Sequence, residues 1–487
     1  MTATSDRPRV HEADGATAVE VHARSVFVAP YLLGAIFAAV YATLSLARLH
    51  RLATRSWDMA IFEQAIRGYA HFGMPIVDVK GPGFNLLGDH FSPLLVLFAP
   101  FYRVFPGPET LLAGQALLVG FSVAVVTRLA IRHLGTAAGV TVGVAYGLSW
   151  GIQSAINFDF HEVSLAVPLL ALAGEAYLVR RWHRVAVWAG LLLLVKEDMG
   201  LTVAALGLAV VLTGARRWGT GLLAAGMVAF ALTVFVVVPA INPDGSYAYW
   251  SKLGAGGGGR PLLERLQAMP EQLLTPGTKV ETLLLTLAVT ALIALWSPFL
   301  LLAVPTLAWR FLGDNEYYWG TDWHYSLTLM PILFVALVDG VVRARASRWS
   351  WLRGYARFVP AIALVVALVL CLQFPFRDLI RPETYDESRR ADAADTVLAL
   401  VPPGASVETD IGLMTQLAAD RDVYWIGNTN AGVTPQYVLI DTAAGWDPVP
   451  LDAARFAEQR HPDVSYRTIY DNGGYRLAQL IDELPGR

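Results

Sequence analysis

Long apolar stretches alternate with short polar ones over the first three-quarters of the chain. A helix needs roughly 20 apolar residues to cross a hydrocarbon layer of about 30 Å. The pattern predicts about eleven membrane-spanning helices, at residues 26–47, 109–131, 136–154, 164–180, 184–196, 199–214, 218–240, 280–296, 299–312, 325–342 and 357–374. It is typical of an all-α polytopic membrane protein.

Arginine placement predicts the orientation, because cytoplasmic connections are enriched in basic residues. With the tail 1–25 in the cytoplasm, clustered arginines fall on inner connections, namely Arg128 and Arg132, Arg180, Arg181 and Arg184, Arg216 and Arg217, and Arg343, Arg345, Arg348, Arg353 and Arg357. This requires that residues 92–105, too few to span comfortably, do not cross. We expect them to form an interfacial helix on the outer leaflet. They end a long first external loop, 48–108, within a transmembrane domain of residues 26–374.

The composition changes after residue 375. Short β-prone runs such as "ASVETD", "DVYWIG" and "QYVLID" mix with helical patterns, and "YRTIYDNGGYRLAQL" predicts a hairpin turning at Asn472-Gly473. Residues 375–487 therefore read as a small α/β domain, which an odd number of spans places outside the cell. A fourth external loop contains "GAGGGG", residues 254–259, which predicts a hinge or a mobile lid. The segment that follows it predicts a short amphipathic surface helix.

The composition is typical of a membrane protein and gives no indication of a nucleic-acid partner. The 487 residues are 55% hydrophobic and only 16% charged, and the net charge of −3 gives no hint of a nucleic-acid partner. The single cysteine, Cys371, excludes an internal disulfide.

The orientation places every cluster of carboxylates and histidines on the external side. In "RSWDMAIFEQ", helical spacing sets Asp58 on a mostly apolar face, where a raised pKa would suit a general base. A helix cap is the alternative.

Two further external motifs combine acids with histidines, "GDHFSP" with Asp89 and "FDFHE". Carboxylate and imidazole groups could hold a divalent metal, with His90, Asp159, His161 and Glu162 as the ligands. A hydrogen-bonded network that closes the outer helix ends is the alternative.

The motif "LLLLVKEDMGL" ends an apolar run with Lys196, Glu197 and Asp198. Ionisable groups at a membrane boundary pair with each other or mark a functional path. Lys196 could neutralise a lipid phosphate, and its neighbours could bind a hydroxyl group. A snorkelling lysine and a helix cap are the alternative.

The aromatic segment "YYWGTDWHYS" is typical of an interfacial belt. Its rings could also stack on a sugar, and His324 and Tyr325 could contact a phosphate. Arg310 is another phosphate candidate or a snorkelling arginine.

Taken together, "SWDMAIFEQ", "GDHFSPLL", "FDFHEVSLAVPLL", "KEDMGL" and "HYSLTLMP" resemble the DUF2079 family of predicted bacterial membrane proteins, which is similar to the GT-C glycosyltransferases. The resemblance covers most of the membrane part and the terminal domain. It implies a multi-pass protein of the bacterial plasma membrane that uses polyprenyl-phosphate sugars. By position, Asp58 would take the role of the essential acidic residue of the first external loop, with Asp89 as the fallback.

We therefore expect a membrane glycosyltransferase that moves a sugar from a polyprenyl-phosphate donor to an extracytoplasmic acceptor by an inverting reaction with a carboxylate base. The acceptor would be an envelope glycan, lipid or protein, and membrane lipids would surround the spans. Two alternatives stay open. A transporter or lipid flippase would place its binding groups near the bilayer midplane within repeated halves, and a noncatalytic envelope scaffold would leave the carboxylates and Lys196 unexplained.

Overall fold

The computed structural model describes residues 13–54, 57–249 and 270–481, with side chains described from residue 28 onward. In chain order its α-helices are α1 (Ala13–His50), α2 (Trp57–Ala70), α3 (Ala99–Val104), α4 (Pro108–Leu134), α5 (Thr136–Gly147), α6 (Trp150–Asn157), α7 (Ala166–Leu178), α8 (Trp182–Leu192), α9 (Met199–Leu212), α10 (Arg216–Leu232), α11 (Val238–Ile241), α12 (Gly277–Ala288), α13 (Ala303–Leu312), α14 (Leu329–Arg345), α15 (Ser350–Cys371), α16 (Ala391–Ala399), α17 (Met414–Leu417) and α18 (Ala453–Arg460). A π-helical turn, Thr233–Val237, joins α10 to α11.

Short 3-10 helices fill many of the connections. They are Asp78–Lys80, Leu86–Gly88, Pro93–Phe98, Glu162–Leu165, Ile293–Trp296, Pro298–Leu302, Glu316–Tyr318, His324–Ser326, Pro375–Ile380 and Pro382–Thr384.

All the predicted spans fall on helical segments, but several are broken. Predicted span 136–154 divides into α5 and α6, and predicted span 280–296 divides into α12 and Ile293–Trp296. Within the described ranges, five helices are long and apolar enough to cross a membrane, namely Val28–His50, Pro108–Leu134, Arg216–Ile241, His324–Arg345 and Ser350–Cys371. The chain is a multi-pass membrane protein, whereas a total of eleven crossings stays a prediction.

Helix α4 shows how local sequence sets these boundaries. Pro108 occupies its first turn, where a missing N–H costs nothing, and Glu109 complements the positive end of the helix dipole. Arg132 and His133 lie in the last turn, and Gly135 ends the helix with a φ of 90°, which favours glycine. The helix therefore runs without a break from one end of the bundle to the other.

The segment expected to be interfacial is helical and short. Pro93–Val104 contains fewer residues than a membrane crossing needs. Leu97, Phe101 and Val104 are each more than half exposed, whereas Leu95 and Tyr102 are buried against the protein. One apolar face therefore packs inward and one faces out, as an interfacial position requires.

A five-stranded sheet forms the C-terminal part of the described chain, in the order β2-β1-β3-β5-β4. The strands are β1 (Ser406–Thr409), β2 (Asp422–Trp425), β3 (Tyr437–Asp441), β4 (Tyr466–Asn472) and β5 (Tyr475–Leu480). Strand β1 runs parallel to β2 and β3, whereas β5 is antiparallel to β3 and β4. The predicted hairpin is β4–β5, but it turns at Gly473-Gly474 and not at the predicted Asn472-Gly473. Asn472 still pairs with Tyr475, and the two glycines have the positive φ angles that the turn requires.

This sheet docks on the loop that begins with α2. Gln64 donates a hydrogen bond to the Val423 carbonyl (2.9 Å), and Arg67 pairs with Asp422 (2.6 Å). The Trp57 ring lies 5.0 Å from the ring of Trp425. The C-terminal strands therefore hold the helix that carries Asp58.

Three predicted features lie mainly outside the described residues. They are the cytoplasmic tail through residue 12, the glycine loop 254–259, and most of the amphipathic segment after it. Helix α1 begins at Ala13, upstream of the predicted first span.

Candidate active site

A cavity of about 190 Å³ lies where the first loop meets the helix bundle. Its walls come from helices α2, α9, α10 and α13, from the first loop, from the loop after α6 and the turn before α9, and from the segments after α11 and α13. It is lined by Asp58, Phe62, His90, His161, Glu162, Lys196, Glu197, Asp198, Leu201, Phe230, Tyr247, Tyr249, Trp309, Tyr318, His324 and Tyr325. The cavity combines ionisable groups with aromatic and aliphatic walls, which is common in ligand sites.

Asp58 pairs with His161 at the cavity wall. Nε2 of His161 lies 3.3 Å from Oδ2 of Asp58, and 32% of the Asp58 side chain remains exposed. Burial alone would raise the pKa of Asp58, but the hydrogen bond and charge of His161, together with His90 and Lys196, lower it below its ordinary value. The predicted raised pKa is therefore wrong, because groups from other loops outweigh the apolar face of α2.

Gln115 on α4 fixes the loop that presents His161. Its side-chain amide donates to the carbonyl of Asp159 (2.8 Å), and its oxygen accepts from the backbone N–H of His161 (3.1 Å). The ring of His161 then stacks on that of His324, with centroids 3.6 Å apart. The two stacked rings together form one side of the cavity lining.

Lys196 binds Glu162 directly. The distance from Nζ to Oε1 is 2.6 Å, and only 15% of the Lys196 side chain is exposed. The lysine is therefore held inside the cavity wall and does not snorkel to a membrane surface.

Glu197 and Asp198 differ in their surroundings. Glu197 accepts a hydrogen bond from the backbone N–H of Phe91 (3.2 Å) and one from the Tyr247 hydroxyl (3.3 Å). Burial raises the pKa of Asp198 to about 6, against the opposing effect of Lys196. Within the described chain, Oδ1 of Asp198 is buried without a hydrogen-bond partner. This oxygen is available to a ligand hydroxyl.

His90 connects the first loop to the turn that carries Glu197 and to the segment that carries Tyr249. Its Nε2 lies 3.0 Å from the Tyr249 hydroxyl and 3.4 Å from Asp89, and its Nδ1 lies 3.9 Å from Glu197. Burial lowers the pKa of His90, but the negative charges of Asp89 and Glu197 reverse this and raise it overall.

The cavity lining contains more acidic side chains than positively charged ones. Its carboxylates are Asp58, Glu162, Glu197 and Asp198, and its lysine is Lys196, with the raised pKa of His90 favouring a second cation. An anionic ligand therefore binds more easily when one carboxyl is protonated, and Asp198 has the pKa for that role.

The structure places three predicted site residues outside the cavity lining. Arg310 is fully buried, and it donates to the carbonyls of Tyr318 and Gly320 and to the Ser326 hydroxyl. It holds the aromatic loop in place, so its predicted phosphate contact is corrected.

The other two residues outside the lining are aspartates. Asp89 pairs with Lys80 at 2.5 Å, which makes it a poor fallback base. Asp159 faces a neighbouring cavity.

The predicted metal ligands do not form a coordination group. Glu162 is bound to Lys196, His161 to Asp58, and Asp159 lies outside the cavity lining. No cluster of three or more His, Cys, Asp or Glu residues suited to a metal occurs in the described ranges. These residues do not fit a divalent metal.

Sequence reasoning missed several contributors. Tyr247 and Tyr249 alternate in "DGSYAYW" after α11 and reach Glu197 and His90. Lys80, one of only four lysines in the chain, holds Asp89. The rarity of lysine was the one signal that could have drawn attention to Lys80.

Comparison with known proteins gives a family and a fold. The family described as "Predicted membrane protein (DUF2079)" matches residues 48–480. The crystal structure of ArnT from Cupriavidus metallidurans bound to undecaprenyl phosphate shares 15% identity, with 91% of this chain and 98% of that chain covered and a TM-score of 0.50. The structure of the same protein in the apo state shares 14% identity. The match covers 90% of this chain and 96% of that chain, with a TM-score of 0.48. The comparison with curated proteins gives no significant match.

Proposed function

The chain belongs to the DUF2079 family of predicted membrane proteins, and from this family, the ArnT-like fold and the cavity we propose that it is a GT-C-type glycosyltransferase. It would transfer a sugar from a polyprenyl-phosphate donor to an acceptor outside the cytoplasmic membrane. ArnT, whose fold this chain shares, was crystallised bound to undecaprenyl phosphate, which supports this donor class. The acceptor would be a glycan, lipid or protein of the envelope.

One observation carries the proposal. Ionisable side chains from distant parts of the chain converge on one cavity, including Asp58 of the first loop, His161 of the second and Lys196 of the third. A scaffold protein has no need to gather such groups.

Asp58 would act as the general base. It takes the proton of the acceptor hydroxyl, whose oxygen forms a bond to the anomeric carbon as the bond from that carbon to the phosphate oxygen breaks. The electron pair leaves with the polyprenyl phosphate, so attack from the opposite face inverts the anomeric centre. The lowered pKa of Asp58 keeps the carboxylate ionised, and His161 at 3.3 Å orients it.

Lys196 would stabilise the departing phosphate. Its ammonium group is fixed by Glu162 at 2.6 Å and needs no rearrangement as charge develops. His90, whose pKa is raised, can contribute a second positive charge. The Oδ1 atom of Asp198 would accept a hydrogen bond from a sugar hydroxyl.

The topology belongs to the same proposal. The N-terminal tail 1–25 would be cytoplasmic, the transmembrane domain would extend over 26–374, and the domain 375–487 would stand outside the plasma membrane of a bacterium. The cavity, where the first external loop meets the helix bundle, would then open to the side where lipid-linked sugars are consumed.

The test uses purified full-length protein with a panel of labelled polyprenyl-phosphate sugars and extracted envelope acceptors. Release of polyprenyl phosphate and labelling of the acceptor are both measured. Asp58→Asn should lower turnover by roughly 10²–10⁴-fold, as expected for a lost general base, and Lys196→Ala should lower it as well. Asp244→Asn is the matched control, since Asp244 is exposed and lies outside the cavity lining.

Turnover that persists in both cavity variants would remove the site assignment. Movement of an intact lipid-linked sugar across vesicles, with no bond cleavage, would instead identify a flippase.

A further inference from the structure

Another cavity lies at the opposite end of the bundle from the candidate active site. It encloses about 650 Å³ and is lined by Tyr31, Arg128, Arg132, Leu172, Glu175, Ala176, Val179, Arg181, Arg184, Val187 and Trp188. Gln115, which holds the active-site loop, and Arg128 lie on the same helix, α4, and are separated by about 20 Å at 1.5 Å per residue. The arginine cavity is therefore separate from the site described above.

One carboxylate organises part of this cavity. Glu175 on α7 accepts two hydrogen bonds from Arg128, of 2.9 and 2.7 Å, and lies 3.2 Å from Arg132. Arg128 also donates to the Tyr31 hydroxyl at 2.7 Å. Helices α1, α4 and α7 are thus tied together at one end, with two guanidinium groups in fixed positions.

The remaining charge is uncompensated. Arg181 and Arg184, on the turn into α8, are exposed, and neither forms an ion pair with another described residue. Four arginines share the single carboxylate of Glu175, so the lining carries three excess positive charges. A guanidinium matches the oxygens of a phosphate in two-pronged geometry.

The other half of the cavity is apolar. Leu172, Val179, Val187 and Trp188 line it, and the side chain of Val187 is 58% exposed. A free phosphate ion would gain nothing from these side chains, whereas a lipid presents a phosphate next to hydrocarbon. The cavity also lies at the end of α4, a candidate membrane span, where lipid headgroups are expected.

We propose that this cavity binds the phosphate headgroup of an anionic membrane phospholipid, with the headgroup against Arg181 and Arg184 and the chains along Val187 and Trp188. The enrichment of arginine on cytoplasmic connections explains a positive surface. It does not explain a concave site in which Glu175 clamps two arginines beside two free ones. Basic pockets between membrane helices are a recognised form of lipid headgroup site.

The experiment titrates full-length protein in detergent with short-chain phosphatidylglycerol and counts bound lipids by native mass spectrometry. Arg181→Ala/Arg184→Ala should weaken binding about tenfold or more, since each basic residue near a headgroup contributes on the order of 1 kcal/mol. Arg216→Ala/Arg217→Ala is the matched control, an exposed arginine pair on another predicted inner turn that does not line the cavity. If the double variant does not fold, the single variants Arg181→Ala and Arg184→Ala are titrated in its place.

Binding that survives in the control and is lost in the cavity variant supports the proposal. An equal loss in both pairs would show a general charge effect and overturn it. Short-chain phosphatidylcholine binding as tightly as phosphatidylglycerol would also overturn it, as would inorganic phosphate competing at the same concentration as the lipid, since a free anion would then be the ligand.

Discussion

Two acidic residues in one cavity have opposite surroundings. The charges around Asp58 lower its pKa, whereas burial raises that of Asp198 to about 6. When the surroundings shift the pKa values of two carboxyl groups in opposite directions, one group stays charged and the other can be neutral, so the two can have different roles. Asp58 therefore stays ionised and available as a base, whereas Asp198 can lose its charge when an anion arrives.

This difference predicts a pH-dependent affinity for the donor. As pH falls from 8 towards 6, Asp198 begins to take up a proton and the excess negative charge of the cavity decreases. The KM for the polyprenyl-phosphate donor should therefore fall several-fold over this range in the wild type. In Asp198→Asn it should be low throughout, as initial rates at each pH would measure.

The Asp244→Asn control should keep the wild-type pH profile. An unchanged slope in Asp198→Asn would assign the effect to another group.

Glu63 provides a second prediction, on stability. It is fully buried on α2, where burial raises its pKa from 4.5 to about 8 and the Tyr102 hydroxyl donates to it at 3.0 Å. The unfolded chain ionises this carboxyl from about pH 4.5 and the folded chain only near 8, so the wild type loses stability as pH rises between these values. Glu63→Gln cannot ionise, and its melting temperature relative to wild type should increase over the same window.

Exposed Glu387 supplies the comparison, because Glu387→Gln should leave the pH dependence of melting unchanged. A melting difference between Glu63→Gln and wild type that is flat from pH 5 to 8 would contradict the assigned burial effect.

The sequence predicted which residue types form the site and on which side of the membrane they lie. It did not predict which of these side chains pair with each other. The arginine pattern placed Asp58, His161 and Lys196 on one predicted side, and all three line the cavity. The pKa of Asp58 was misjudged because helical spacing reveals only neighbours on α2, whereas His161 comes from a distant loop. Arg310 was misassigned because sequence does not show that backbone carbonyls already occupy its donors.

Among the elements, α9 and α10 pack with their backbones in near contact. A Cβ atom added at Gly226 would lie 2.5 Å from the backbone of Ala204 and Gly200, and one at Gly207 would lie 2.4 Å from the Leu223 nitrogen. Small residues permit this approach between membrane helices. The pair adjoins the cavity through Leu201 and Phe230.

Gly226→Val should force these helices apart. Overpacking costs roughly 1–3 kcal/mol, so the detergent-solubilised protein should melt several degrees lower and lose part of its turnover. Gly221→Val, on the same helix with nothing within 4 Å of the added Cβ, should melt like the wild type. Equal melting temperatures for the two variants would contradict the close packing.

The sequence pattern predicted which segments form helices and which form strands. It did not predict where a helix is interrupted. The five strands occur at the short β-prone runs and the hairpin that the sequence predicted. At the break between α5 and α6, the carbonyls of Gly147 and Leu148 accept hydrogen bonds from the side chains of Tyr41 and Gln153. Hydropathy does not reveal these partners.

At the scale of the whole molecule, the proposed orientation can be tested with the single native cysteine removed. In a Cys371→Ala background, Leu451→Cys should react with a membrane-impermeant maleimide on intact cells, because Leu451 is 87% exposed in the C-terminal domain. Arg217→Cys, on a predicted inner turn, should react only after permeabilisation. The reverse labelling pattern would invert the topology.

The docking of β2 on α2 also has a consequence for biosynthesis. Gln64 is bonded to Val423, which the ribosome adds 359 residues later, and Trp57, next to Asp58, meets Trp425. A nascent chain therefore inserts its helices long before the segment that secures Asp58 has emerged. If the proposed function holds, a chain terminated before residue 422 would insert its helices but lack the strand that packs beside Asp58, and we expect it to be inactive.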